Sequence, residues 1–246
     1  TTLFTFLVVT KLLTNGFVIN PLCNQLPLHS SSNLKLFEVE SDSTAEIATS
    51  FLTPEDIDAI GVSSYFLEEP TGGDENQLPS DTLIKLAKRF LVKSKGIGGD
   101  AELLSDDFVF EGPVVGPLGK EPFLEAISSV CFDEGFPDWT AEFYGFHVDP
   151  LEPNRVWYTA KGYGTNSGPF PNKDLPATYK KVINPPQVCS FTFDSSSGLI
   201  KKYTIGYVAD RTIGNTEGLG GLYGMMYAIG RPLPFPEAQP WKPSFA

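Results

Sequence analysis

Between residues 80 and 210 the spacing of apolar positions changes from a helical period to a strand period. Leu83, Leu86, Ala87, Phe90 and Leu91 fall at i, i+3, i+4, i+7 and i+8, which lines one face of an α-helix, and Ser80 is placed to cap it. Gly96, Gly98 and Gly99 stop that helix. A short second helix over 100–104 leads into a strand at 108–110, and the Gly- and Pro-rich stretch 112–117 forces a loop. A third helix over 121–130 presents Phe123, Ile127 and Val130. Four strand-like segments follow, at 139–148, 155–165, 178–193 and 199–208, with Pro185-Pro186 bending the third. This order predicts an α+β domain in which a curved antiparallel sheet wraps around N-terminal helices and encloses a pocket.

Strand alternation sorts side chains into faces without saying which face is inside. Trp139, Ala141, Phe143, Gly145 and His147 share one parity, as do Trp157, Thr159, Lys161 and Tyr163, and Lys201, Tyr203, Ile205 and Tyr207.

The ends of the chain differ in composition from this centre. Residues 3–13 are an apolar run of signal-peptide length, interrupted by Lys11 and too short to span a bilayer comfortably. With Phe17, the serines at 30–32 and no acid before Glu38, residues 1–37 resemble the bipartite plastid-targeting leader of diatoms and related algae. A plain secretory signal and a buried N-terminal helix are the alternatives. Residues 38–79 form an acidic arm without Lys or Arg, in which Thr53-Pro54-Glu55-Asp56 starts one short helix. The arm is expected to be solvated, to dock a basic protein partner, or to cover the pocket mouth. The domain occupies 80–230. A Pro-rich tail, 231–246, is expected to run extended over the surface with Trp241 as an anchor. The Gly-rich run 218–230 reads as an apolar flap or a subunit-contact helix, since it lacks the ending of a phosphate loop.

Charge and residue usage exclude several functions. A net charge of −12 repels phosphate backbones, so no nucleic-acid partner is expected. Two His and three Cys share no metal-ligand spacing, so neither a metal, another cofactor nor a disulfide framework is predicted. No stable membrane span is expected in the mature chain.

Several segments resemble the SnoaL-like family, part of the cone-shaped superfamily of nuclear transport factor 2 and ketosteroid isomerase. They are Leu104-Ser105-Asp106-Asp107-Phe108, then the run from Gly116 through Leu124, Gly164-Thr165-Asn166-Ser167-Gly168-Pro169-Phe170, Pro176-Ala177-Thr178-Tyr179-Lys180, Phe191-Thr192-Phe193 before Gly198-Leu199-Ile200, and Asp210-Arg211 before Gly218-Leu219. The resemblance covers roughly residues 80–234. It implies a cone with a deep, mostly apolar pocket for a small apolar ligand. Members cyclise or isomerise polyketides, dehydrate, hydrolyse epoxides, or do no chemistry. Cone domains pair through their sheets, which makes a homodimer a further expectation. In the cyclases a late Asp is the general acid/base, and the matching residue is Asp210. Asn166 stands where the family's turn has His, and Lys202-Tyr203-Thr204 where it has Glu-His-Trp.

Proton abstraction beside a carbonyl needs a carboxylate in an apolar cavity and a donor for the developing oxyanion. Asp210 is the candidate base, with a pKa raised by burial, and Tyr163 or Tyr203 the candidate donor. His147 beside Asp149 is a candidate proton shuttle. Lys161, if inward, would hold an anionic group, and if outward is a solvated strand lysine. Phe110, Phe123, Trp157 and Phe191 are core residues and pocket wall, with Asn166 at the turn. The expected function is binding of a small apolar molecule with acid/base isomerase or cyclase-type chemistry. The alternative is a non-catalytic interaction module, which requires an exposed apolar patch around residues 219–226.

Overall fold

The structure, a computed structural model, describes residues 77–94 and 100–242. The leader and nearly all of the acidic arm lie outside the described residues.

Helix α1 (Ser80–Ser94) buries Leu83, Ala87, Phe90 and Leu91, the stripe its sequence period predicts, and turns Lys85, Lys88 and Arg89 outward. A 3₁₀ turn at Ala101–Leu103 follows, with the Asp100 carboxylate accepting from the Glu102 N–H. Strand β1 (Leu104–Glu111) is longer than its apolar centre suggests, because Leu104 and Phe108 anchor it at two levels of the core. The short β2 (Leu118–Gly119), α2 (Lys120–Ser128) and the single turn α3 (Phe132–Gly135) come next. The remaining strands are β3 (Thr140–Val148), β4 (Arg155–Thr165), β5 (Lys181–Ile183), β6 (Gln187–Phe193) and β7 (Ile200–Val208), before helix α4 (Gly221–Ala228).

The strands form one curled, half-barrel sheet in the order β2-β1-β7-β6-β4-β3. β5 pairs with the end of β4 that β6 leaves free. Pro185 and Pro186 separate β5 from β6, as the missing N–H donors require. Every pairing is antiparallel except β1–β7, so the fully antiparallel sheet expected from the sequence is mixed at one junction. The whole is the α+β cone the sequence predicts.

Two apolar cores result. The larger joins α1, Phe123 of α2 and the inner sheet face, including Phe108, Val148, Val156, Tyr158, Phe191, Phe193, Ile200 and Tyr203. The smaller gathers Phe132, Phe136, Phe170, Val182, Met225, Met226 and Ile229. Helix α4 therefore belongs to a core. Leu219, Met225 and Met226 are buried, so the Gly-rich run is neither an apolar flap nor the exposed patch that the interaction-module expectation placed there. In the tail Ala238 is buried but Trp241 is 78% exposed, so its ring does not anchor the tail.

Candidate functional site

The inner face of the sheet is organised in rows across the strands. Val148, Val156, Phe191, Tyr203 and Phe110 pair in register across β3, β4, β6, β7 and β1. Phe90 of α1 closes on this row, with ring centroids 5.0 Å from Phe191 and 5.6 Å from Tyr203. On one side of it, Phe193, Ile200 and Leu104 are also paired and buried. This end is closed.

On the other side the row Tyr158–Cys189 comes first, then Phe143–Ala160–Gln187. Here the cover thins. Phe143, Ala160, Ile205 and Phe110 pack against the larger core yet remain only half-buried, and Ile127 of α2 is in the same condition. Beyond Ala160 the inward positions of β4 are Gly162 and Gly164, filled by the Trp139 ring. A Cβ on Gly162 would lie 2.4 Å from Trp139 Cζ2. Trp139 itself packs with the smaller core. Ala160, Phe143 and Ile205 thus line an apolar seam at the open end of the cone.

The floor of this seam is polar. The Tyr158 hydroxyl donates to the Tyr203 hydroxyl at 3.3 Å, and both side chains are buried. Burial, followed by the proximity of Tyr203 and Cys189, holds Tyr158 protonated far above the ordinary tyrosine range. Burial also raises Tyr203, and pushes the Cys189 thiol up to about 12. At neutral pH these three groups are uncharged. Among the described buried residues of the larger core there is no Asp, Glu, His, Lys or Arg.

The sequence candidates fall in other places. Trp157, Thr159, Lys161 and Tyr163 do share a face, but it is the outer one. Val156, Tyr158 and Ala160 take the inner. Arg155 stacks 3.9 Å from the Trp157 ring, while Tyr163 is 40% exposed with Lys181 above it. Lys161 pairs in register with Glu142 on that face. The expected His147–Asp149 pair does not form. His147 Nδ1 lies 3.0 Å from the Gly145 carbonyl, and Asp149 accepts from Trp157 Nε1 and from the Leu151 and Glu152 N–H groups. A β-bulge between Tyr144 and His147, with Gly145 at φ +67°, turns Phe146 inward and His147 outward.

Asp210 is a turn residue beyond β7. Its carboxylate accepts from the Thr212 hydroxyl and N–H at 2.6 and 2.8 Å, and these bonds hold its pKa below the ordinary value. The expected upward shift by burial is therefore not found, and the hydrogen bonds that fix this carboxylate come from Thr212. Asn166 is fully buried as a clamp. Its Nδ2 donates to the Gly135 and Gly168 carbonyls, and its Oδ1 accepts from the Thr178 N–H and hydroxyl. Phe123 and Phe191 are core, and Phe110 is half-buried against that core, stacked on Phe123.

Sequence reasoning did not single out Tyr158, Ala160 or Gln187. The available signal was charge, since Arg155 and Lys161 occupy the Trp157 parity and mark it as outer. Cys131 and Cys189 are both free, Cys189 buried and Cys131 half-buried. Among the described residues there is no cluster of His, Cys, Asp and Glu able to hold a metal, and no helix long and apolar enough to cross a membrane.

No protein-family model and no curated protein matches the sequence. Solved structures similar to the chain include a protein provisionally assigned as a SnoaL-like polyketide cyclase from Jannaschia sp. CCS1. It is 18% identical with a TM-score of 0.45, over 67% of this chain and 100% of that one. AclR from Streptomyces galilaeus, provisionally assigned as a hydroxylase, is 15% identical with a TM-score of 0.44, over 63% and 98%. TsrD from Streptomyces laurentii is 15% identical with a TM-score of 0.41, over 63% and 99%. Likeness at this level decides neither family nor activity.

Proposed function

We propose that the protein binds a small, largely apolar molecule at the open end of its cone. The observation that carries this reading is the burial gradient of the inner sheet face. Apolar side chains are sealed at one end and half-exposed at the other, with paired tyrosine hydroxyls beneath. An apolar lining with a few convergent polar groups is what small-molecule sites consist of. Isomerase or cyclase chemistry by a buried carboxylate gains no support, because Asp210 is held ionised in a turn. The plastid address read from residues 1–37 belongs to this proposal and is tested by where a fluorescent fusion to that segment accumulates.

Nile red, an uncharged apolar dye, provides the test. The full chain should bind it saturably, and Ala160→Phe, which fills the seam, should abolish binding while keeping the near-ultraviolet circular dichroism. Equal binding by both proteins contradicts the proposal.

A second reading is favoured by the outer face. Tyr144, Tyr163 and Tyr207 are each at least 40% exposed there, and Lys202 and Arg155 are neutralised by Glu111 and Glu152. An aromatic, charge-balanced face on a chain of net charge −12 suits pairing of two copies or a protein partner. Sedimentation equilibrium of the full chain and of Tyr144→Lys tests it. A monomer in both cases excludes the homodimer.

A further inference from the structure

We propose that the outward face of α1 is the docking surface for the acidic segment that directly precedes it, residues 69–76, held there by ion pairing with Lys85, Lys88 and Arg89. The segment itself lies outside the described residues.

The sequence segregates its charge around this helix. Residues 38–76 hold eleven Asp and Glu and no Lys or Arg, so the rest of the chain is nearly neutral. The cations then come together. Lys85, Lys88, Arg89, Lys93 and Lys95 fall within eleven residues, and no acid lies between Asp81 and Asp100.

In the fold these cations share one side of α1. Leu83, Ala87, Phe90 and Leu91 face the core, which leaves Lys85, Lys88, Arg89 and Lys93 exposed, with Val92 among them at 81% exposure. Lys93 pairs with Asp100, and the Lys88 ammonium lies 5.1 Å from the centre of the Phe146 ring. Arg89 acts on Asp100 only through its field. Among the described residues no acid forms an ion pair with Lys85 or Arg89. Like charges three and four residues apart on a helix repel, so a counter-charge laid over this face relieves that repulsion.

The occupant follows from where the described chain begins. The Leu78 N–H donates to Asn154 Oδ1, and the Pro79 carbonyl accepts from Thr82 and Leu83, which fixes the entry into α1. From Ser80 to Arg89 the helix rises about 13 Å, while eight residues reach roughly 26 Å. Glu69, Asp74 and Glu75 are therefore within range of all three cations, and Gly72-Gly73 lets the segment turn back along the helix.

Single exposed ion pairs contribute little. Tethering makes the difference, because a short linker sets an effective concentration in the millimolar range. A nucleic acid or an anionic membrane has no such tether and meets a net charge of −12. The contact should weaken with salt, since exposed charges are screened over about 10 Å at 0.1 M and about 3 Å at 1 M.

Carbodiimide coupling of the full chain, read by peptide mass spectrometry, tests the proposal. The reagent joins a carboxylate to a lysine amine as an amide and takes up the water released, so it captures groups already in contact. At low salt Lys85 and Lys88 should couple to Glu69, Asp74 or Glu75, with the Lys93–Asp100 pair as internal reference. Raising the salt to about 1 M should lower that coupling about fivefold relative to the reference. Arg89→Glu keeps both lysines and should lower it about as much at low salt, with Arg89→Gln intermediate. An equal mixture of unlabelled and nitrogen-15-labelled chains should couple within one label only. Mixed-label products would move the segment to a second copy and overturn the assignment. Coupling of Lys85 and Lys88 to other carboxylates, no coupling while the reference pair reacts, or a yield that neither salt nor Arg89→Glu changes would overturn the docking surface.

Discussion

The two ends of the same sheet face are built from the same alternation and reach opposite outcomes. At the closed end Leu104, Val148, Val156, Phe193 and Ile200 are each at most 3% exposed, because α1 lays Leu83, Ala87 and Phe90 over the larger core they belong to. At the open end Phe143, Ala160 and Ile205 point the same way and remain half-buried. Folding alone satisfies the first set. The second keeps apolar surface partly exposed among the described residues. Stability and binding are therefore assigned to different ends of one β-sheet, and mutations should separate them.

The largest effect should come from Phe191→Ala. Phe191 is fully buried between Tyr158, Tyr203 and Phe90, and its loss should cost about 3–5 kcal/mol in urea unfolding. Phe143→Ala at the open end should cost clearly less, about 1–2 kcal/mol, because part of its surface is already wet. Nile red binding should fall more for Phe143→Ala than its stability does. Equal stability losses at the two sites would erase the distinction between the ends.

Gly162→Ala should be intermediate. The new methyl group meets the Trp139 ring, and the strain should remove about 1–3 kcal/mol. Because Trp139 bounds the seam, this variant should also alter the dye's emission, which a stability effect alone would leave unchanged.

A smaller, pH-dependent effect should arise on the outer face. Burial tends to raise Asp149, but hydrogen bonds from Trp157, Leu151 and Glu152 outweigh it and leave its pKa below the ordinary value. A depressed carboxylate contributes stability above its unfolded pKa of about 3.9 and loses it as pH falls through the folded value. Asp149→Asn should therefore flatten the fall in urea midpoint below about pH 4. An unchanged acid limb would show that other carboxylates carry it. Smallest of all, Asp210→Asn should leave dye binding within about twofold, since the carboxylate is engaged by Thr212 and a hydrogen bond there contributes little. A loss beyond tenfold would return Asp210 to the site.

Much of the element order was legible beforehand. Strand β4 begins and ends where alternation placed it, and α1 begins at Ser80, with Pro79 and not Ser80 in the cap position. Orientation was harder to read. On β4 both parities carry large aromatics, so hydrophobicity could not choose the inner one. On β3 the bulge at Gly145 reversed the parity halfway along, and on β7 Gly206, at φ +93°, lies in a register shift that separates Tyr207 from Tyr203. A bulge adds one residue and moves every later side chain to the other face. Asn166 was noticed for the chemistry of a turn, while its four side-chain hydrogen bonds join segments that only the fold brings together. The tyrosine pair was half visible. Tyr203 stood out in its motif, whereas Tyr158 acquires its meaning from a partner 45 residues away.

The central claim is that the open end of the cone is a ligand site, and a crystal structure of the protein soaked with 2-acetylnaphthalene tests it most directly. The account predicts one ordered ring system between Phe143, Ala160 and Ile205. Density on the outer face among Tyr144, Tyr163 and Tyr207, with the seam unchanged, would contradict it.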